Sequence, residues 1–122
     1  MSNVKEQSIA FHKSGLNCAQ SVLCSLEAYT HLDPEIAKDI SEGFGGGVRC
    51  GEICGSVSGA VMALGMAGEH PTAPLSVEMT NAFKEKFSCI RCQELLEKFG
   101  GKGRCNDLIQ FAAETAEKML TK

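Results

Sequence analysis

Cysteine is the residue type in this chain that is best suited to chemistry. Seven of the 122 residues are cysteines, a share above ordinary usage but below that of small secreted disulfide scaffolds. Because the number is odd and thiols in a reducing compartment rarely form structural disulfides, clustered cysteines more often bind a metal or cycle between redox states. What these thiols can do depends on the elements that position them.

Those elements are predicted to be helices. Apolar residues recur at spacings of three and four through most of the chain, whereas the alternating pattern of a β-strand is scarce. We therefore expect an all-α fold: a single cysteine-rich domain over residues 1–122, built as a bundle of about six to seven helices around a buried, glycine-rich central helix. The predicted helices begin near Val4, Asn17, Pro34 and Cys54, after Pro74, and near Cys92 and Cys105.

Four cysteines fall in the predicted first turn of a helix, and each extends or borders an apolar stripe. The amide donors and partial positive charge at a helix start favour the thiolate, which is both the nucleophile and the metal ligand. We expect these four thiols to face the core. They are Cys18, Cys54, Cys92 and Cys105.

Two further patterns bear on these four cysteines. The chain has three arginines, Arg49, Arg91 and Arg104, and each immediately precedes a cysteine, where a nearby cation would lower the thiol pKa further. The short helix over 92–99 and the glycine-rich linker over 100–104 would allow the last helix to begin beside Cys92. A site of four thiols is therefore geometrically feasible.

The other three cysteines differ in setting. Cys89 and Cys92 form a C-x-x-C pair, a spacing used both by redox couples and by metal sites. Cys50 precedes Cys54 by one helical turn, but the glycines around Cys50 predict a turn in place of a helix. Cys24 lies about 120° around its helix from Cys18, so we predict that it is a core residue.

The segment GFGGGVRCGEICGSVSGA, residues 43–60, combines glycines with two of the cysteines. A phosphate-binding loop would need a lysine and a hydroxyl at set positions, and a dinucleotide fingerprint would need a preceding strand. The segment has neither, so we favour a close approach of the chain around Cys50 and Cys54 that only glycine permits. The alternative is a simple turn between two helices.

The helix before this segment is predicted to bury Ile36, Ala37 and Ile40.

Four segments of the chain follow one pattern: GLNCAQSVL, GFGGGVRCGEICGSVSGAVMALG, FKEKFSCIRCQELL and RCNDLIQFAAE. Together they resemble the C_GCAxxG_C_C family of redox-active proteins, over most of the chain from Gly15 onward. The resemblance implies that the four helix-start cysteines are the family's signature cysteines. It also matches the family's Gly-Ala-x-x-Gly motif to residues 55–59, with Ser56 in place of the alanine. The remaining three cysteines lie outside the family pattern.

Three functions follow from these patterns. In the first, the thiols carry out thiol–disulfide or electron transfer, with Cys89 and Cys92, or a pair among the four helix-start cysteines, as the working couple and Cys50 as a further candidate. In the second, the thiolates of Cys18, Cys54, Cys92 and Cys105 bind an iron–sulfur cluster or zinc. In the third, the chain is a helical interaction module without catalysis. We rank thiol redox chemistry first, without assigning a reaction or a substrate.

Composition narrows the choice of partners. The net charge is −3 and the sequence lacks the basic excess of nucleic-acid-binding proteins, so no nucleic-acid partner is expected. The longest uncharged stretch, residues 53–68, is shorter than the roughly 20 apolar residues that span a bilayer, and the N-terminus has no apolar signal core. We expect a cytoplasmic protein that acts with a redox partner protein and does not bind membranes. A homodimer is plausible, but no residue pattern specifies one.

Overall fold

The computed structural model describes residues 4–99 and 105–121, and the elements formed within them are helices joined by short loops. These residues contain no β-strand, which confirms the predicted all-α class. The glycine-rich linker over 100–104, which includes Arg104, lies outside the described residues. The helices are α1 (Val4–Lys13), α2 (Cys18–Ser25), α3 (Glu27–Thr30), α4 (Pro34–Ser41), α5 (Gly55–Ala67), α6 (Ala73–Phe87), α7 (Cys92–Phe99) and α8 (Cys105–Leu120).

Local capping fixes the starts of α2 and α4. The side chain of Asn17 accepts a hydrogen bond from the Gln20 amide at 3.0 Å, and the Gln20 side chain accepts one from the Asn17 amide at 2.9 Å. This reciprocal pair satisfies two amides that the helix itself leaves without partners. At α4, Asp33 caps the amides of Glu35 and Ile36, and Pro34 occupies the first helical position, where its missing N–H is not needed.

Glycine lets α5 lie close to α2. A Cβ atom added at Gly59 would come within 2.6 Å of the Ala19 carbonyl oxygen and 3.2 Å of the Val22 Cβ, so a larger residue would push the two helices apart. α5 also packs against α6 and α8 and has 13 residues.

Across residues 4–99 and 105–121, no helix combines the length and the apolar character needed to cross a membrane.

The core is formed by large side chains from α2, α5, α6 and α8. Helical periodicity predicts an inward stripe of Met79, Ala82, Phe83 and Phe87 on α6; Met79, Phe83 and Phe87 are buried, and Ala82 is partly buried. The rings of Phe83 and Phe87 lie 4.9 Å apart between centroids, and Phe87 meets Phe111 of α8 edge to face at 5.4 Å, a favourable aromatic geometry. These three packed rings hold α6 against α8.

The inward face of α4 differs from the prediction. Ile36 and Ile40 are each 52% exposed, whereas Ala37 and Ser41 are buried. α4 packs on α2 through its small residues, and Gln20 of α2 donates a hydrogen bond to the Lys38 carbonyl at 3.0 Å. The two isoleucines share a face of α4 about 100° away from the one that contacts α2. Because α4 packs closely on α2, its buried face carries small side chains, and the larger isoleucines lie on a more exposed face.

Candidate thiol site

The N-terminal ends of α2, α5, α7 and α8 surround one cavity of about 650 Å³. Cys18, Cys92 and Cys105 are the first residues of α2, α7 and α8, and Cys54 is the N-cap of α5, so the predicted helix-start positions are correct. All four line the cavity, and Cys50 lines it as well. The fold therefore collects five sulfurs from four distant parts of the sequence around a single space.

Backbone pairing joins the segment before α5 to the segment before α7. The amide of Cys54 donates to the Ile90 carbonyl at 2.7 Å, and the amide of Cys92 donates to the Glu52 carbonyl at 2.6 Å, forming an isolated antiparallel bridge. An exposed ion pair at 3.4 Å between Arg91 and the Glu52 carboxylate lies beside it. The bridge fixes the start of α5 next to the start of α7.

Cys18 lies in a setting that stabilises its thiolate. The thiol of Cys54 donates a hydrogen bond to the Cys18 sulfur, and the backbone amides of Gly46, Ala19 and Cys18 itself also point at it. Together these donors outweigh the opposing effect of burial and lower the pKa of Cys18 from 9.0 to about 6. Cys18 is consequently a thiolate at neutral pH.

Cys54 shows the opposite behaviour. Cys54 is 3% exposed, and its pKa is raised well above 9.0, first by the hydrogen bond to Cys18, then by burial and by the negative charge of the Cys18 thiolate. The Ser56 amide and hydroxyl oppose this with a smaller effect. At neutral pH the two sulfurs therefore hold a single proton, which stays on Cys54.

The glycines of residues 43–60 permit this arrangement, as predicted from the sequence. A Cβ atom at Gly55 would lie 2.5 Å from the Cys18 sulfur and 3.0 Å from the Phe44 carbonyl oxygen. Gly46, whose amide reaches Cys18, has φ of +64°, a left-handed conformation that glycine adopts without strain. Close approach of the chain accounts for Gly55, and a left-handed backbone accounts for Gly46.

Sequence reasoning overlooked the Ser56 hydroxyl. Ser56 has no exposed surface, lines the cavity, and its hydroxyl makes no hydrogen bond with any described residue. It nevertheless lies close enough to Cys54 to favour that residue's thiolate, because the hydroxyl can rotate toward the sulfur. The signal was present in the sequence as the serine that replaces the alanine of the family motif.

The remaining cysteines are positioned differently. Cys24 is buried in α2, as predicted for a core residue, with its sulfur 3.9 Å from the Pro34 carbonyl oxygen. Cys89 packs against the core, its sulfur 3.8 Å from the Phe87 carbonyl oxygen, and it is not among the described residues that line the cavity. The C-x-x-C pair is therefore split, since only its second cysteine faces the cavity.

All seven cysteines lie in the described parts of the chain, and no disulfide joins any two of them. In the same residues, no three histidine, cysteine or acidic side chains are grouped closely enough to hold a metal ion. Binding of an iron–sulfur cluster or zinc by the four helix-start cysteines stays a prediction for metal analysis to test.

Comparison with known proteins places the chain in one family. Residues 16–119 match the sequence profile described as "Putative redox-active protein (C_GCAxxG_C_C)", a match that contains all four helix-start cysteines. No curated protein and no solved structure shows significant similarity to the chain. Because the family profile covers well over half of its residues, the protein belongs to the C_GCAxxG_C_C family of redox-active proteins.

Proposed function

We propose that the protein is a dithiol–disulfide redox protein in which Cys18 is the attacking thiolate and Cys54 is the resolving thiol. The observation that carries this proposal is the close approach of Cys18 to the start of α5, where a Cβ atom at Gly55 would lie 2.5 Å from the Cys18 sulfur and Cys54 lowers the pKa of Cys18 to about 6. A thiolate is the nucleophile in thiol–disulfide exchange. Cys18 and Cys54 also line the same cavity, so their sulfurs are available to each other for a disulfide.

The reaction consumes a substrate disulfide, RS–SR. The Cys18 thiolate attacks one sulfur of the substrate, so that a Cys18–SR bond forms, the S–S bond breaks and RS⁻ leaves. Cys54 then loses its proton, which the leaving thiolate accepts, and attacks the Cys18 sulfur to release the second RS⁻. The substrate gains two electrons and becomes one thiol and one thiolate, the latter free to take a proton from water, while Cys18 and Cys54 become a disulfide.

A second dithiol completes the cycle. A reductant of the dithiol class, supplied by a partner protein or by a small molecule, attacks the Cys18–Cys54 disulfide, becomes a disulfide itself and returns both cysteines to thiols. Burial supports this division of roles, since Cys54 is 3% exposed while Cys18 is half-buried. The more exposed residue of the two is also the one with the lower pKa.

Other cysteine pairs have less support as the working couple. Cys89 and Cys92 share the C-x-x-C spacing, but the Cys89 sulfur lies against the Phe87 carbonyl and the core. Cys92 and Cys105 line the same cavity as the proposed couple, so they are available to a later exchange step. Cys50 is exposed at the cavity, but its setting shows no feature like the Cys18–Cys54 hydrogen bond.

The test is to oxidise reduced, anaerobically purified protein with one equivalent of a small disulfide and then map the disulfides by mass spectrometry. Iron, zinc and acid-labile sulfide are measured on the same sample. We expect the thiol count to fall from seven by two, with Cys18 joined to Cys54, and to recover with dithiothreitol. An unchanged thiol count, or a first disulfide without Cys18, would overturn the proposal. Stoichiometric iron and sulfide would favour a cluster protein.

A further inference from the structure

The cavity beside Cys18 has an electrostatic character opposite to that of the whole chain. The protein carries 15 acidic and 12 basic residues, yet no aspartate or glutamate is among the described residues that line the cavity, whereas Arg49 is. The N-terminal ends of α2, α5, α7 and α8 also meet there. Each of the four helix starts contributes about half a positive charge, and together with Arg49 they outweigh the single negative charge of the Cys18 thiolate, so the cavity favours a negatively charged ligand.

The Ser56 hydroxyl is an independent indication of a ligand. A buried polar group without a hydrogen bond is costly. This hydroxyl is fully buried, lines the cavity and makes no hydrogen bond with a described residue, although it can turn toward the Cys54 sulfur, a weak acceptor. Gln93 offers a further polar side chain on the cavity wall, whereas Asn17 already donates to the Glu42 carbonyl and accepts from the Gln20 amide. A bound molecule with an oxygen acceptor near Cys18 would satisfy the Ser56 hydroxyl.

The rest of the lining is apolar. Leu95 and Leu96 of α7 and Leu108 of α8 line the cavity, which suits the carbon and sulfur atoms of a small ligand. A volume of about 650 Å³ lies within the 300–1,000 Å³ typical of small-molecule sites. Cys18 and Cys54 are reached through this cavity instead of projecting from the surface, which disfavours a folded protein as the direct substrate.

We infer that the substrate is a low-molecular-weight disulfide that carries a carboxylate, with a sulfur at Cys18 and the carboxylate toward Arg49. This inference rests on the proposed function and adds the substrate class to it. Arg49 is exposed, and its guanidinium donates to the Glu42 carbonyl at 3.0 Å, which holds it at the cavity. Its remaining N–H groups can bind a carboxylate.

The test compares two disulfides of similar size and reactivity, the dianion dithiodipropionate and the neutral hydroxyethyl disulfide. Rates of formation of the Cys18–Cys54 disulfide are measured by stopped-flow mixing at low and high salt. We expect the anionic probe to react about tenfold faster at low salt, the scale of modest electrostatic attraction, and the preference to shrink at high salt. In Arg49→Gln the preference should fall by up to roughly fivefold, with the neutral probe unaffected.

Matched variants control for folding and for net charge. Arg49→Lys keeps the charge and should keep most of the preference. Arg91→Gln removes one positive charge from an exposed arginine that pairs with Glu52 and is not among the described lining residues, so it should leave the preference unchanged.

The outcomes separate this inference from the proposed function. Equal rates for the two probes, or an equal slowing of both in Arg49→Gln, would overturn the inference while the proposed function stands. A protein disulfide that reacts faster than either probe would also overturn it. If no disulfide oxidises Cys18 and Cys54, both the inference and the proposed function fail.

Discussion

Cys24 and Cys54 are two almost equally buried thiols with different surroundings. Their exposed fractions are 4% and 3%, and burial contributes to a raised pKa at both. Cys24 lies within α2, and its nearest polar partner is the Pro34 carbonyl. Cys54 lies at the start of α5 beside the cavity and donates its hydrogen bond to another sulfur, that of Cys18.

The difference teaches that burial alone does not distinguish a structural cysteine from a reactive one. A raised pKa makes an isolated thiol such as Cys24 less reactive. The raised pKa of Cys54 has a counterpart in the lowered pKa of Cys18, because one proton serves both sulfurs. The hydrogen-bond partner of a buried thiol thus indicates whether the thiol is reactive. The following variants test this difference between Cys24 and Cys54.

The largest effect should come from removing either sulfur of the couple. We expect Cys54→Ala to lower turnover of a small disulfide by roughly 100-fold or more, the scale seen when an essential group is lost, because the mixed disulfide at Cys18 has no resolving thiol. Cys24→Ala should leave turnover unchanged. The measurement is steady-state thiol release coupled to a dithiol reductant, on variants whose helical content is checked by circular dichroism. Equal losses in both variants would show that the couple is wrongly chosen.

An intermediate effect should appear in the pH dependence of Cys18. With a pKa of about 6, its thiolate fraction rises through pH 6 and is nearly complete above pH 7, so alkylation by iodoacetamide should level off there. Cys54→Ala removes the first hydrogen-bond donor and raises the pKa. The rise then moves to higher pH, and the thiolate fraction at pH 7 falls by about 30-fold if the pKa approaches the 8.5 of a free cysteine.

Cys54→Ser provides the matched control for that pH profile. Neither variant can form the disulfide, but serine keeps a hydroxyl donor near Cys18. Its profile should therefore lie between those of the natural protein and Cys54→Ala, as measured by mass spectrometry of the peptide that contains Cys18. Identical profiles in all three proteins would contradict the role of Cys54 as the donor.

The smallest expected effect is on the free energy of unfolding, and it should differ between alanine substitutions at two glycines of α5. A methyl group at Gly55 would collide with the Cys18 sulfur and the Phe44 carbonyl, whereas nothing lies within 4 Å of a Cβ at Gly65. We expect Gly55→Ala to destabilise the fold by about 1–3 kcal/mol and Gly65→Ala to stabilise it by up to about 1 kcal/mol. Urea unfolding of the reduced proteins measures both. Equal stability changes would mean that Gly55 does not limit the approach of Cys18.

Much of the secondary structure could be predicted because its causes are local. The caps at Asn17 and Asp33 are made within a few residues of the helix start, and the stripe of Met79, Phe83 and Phe87 follows from helical periodicity. The face of α4 could not be predicted in this way. Its burial depends on how closely α2 approaches, and that distance is set by residues far away in the sequence.

The sequence by itself determined which thiols stand at helix starts, since capping residues, periodicity and glycines act over short range. Only the tertiary structure decided which of them meet. Cys18 and Cys54 come together because Gly55 admits the sulfur and Gly46 turns its amide toward it, and the bridge between the segments before α5 and α7 adds Cys92 to the same cavity. These contacts join residues dozens of positions apart, and no local pattern encodes such separations.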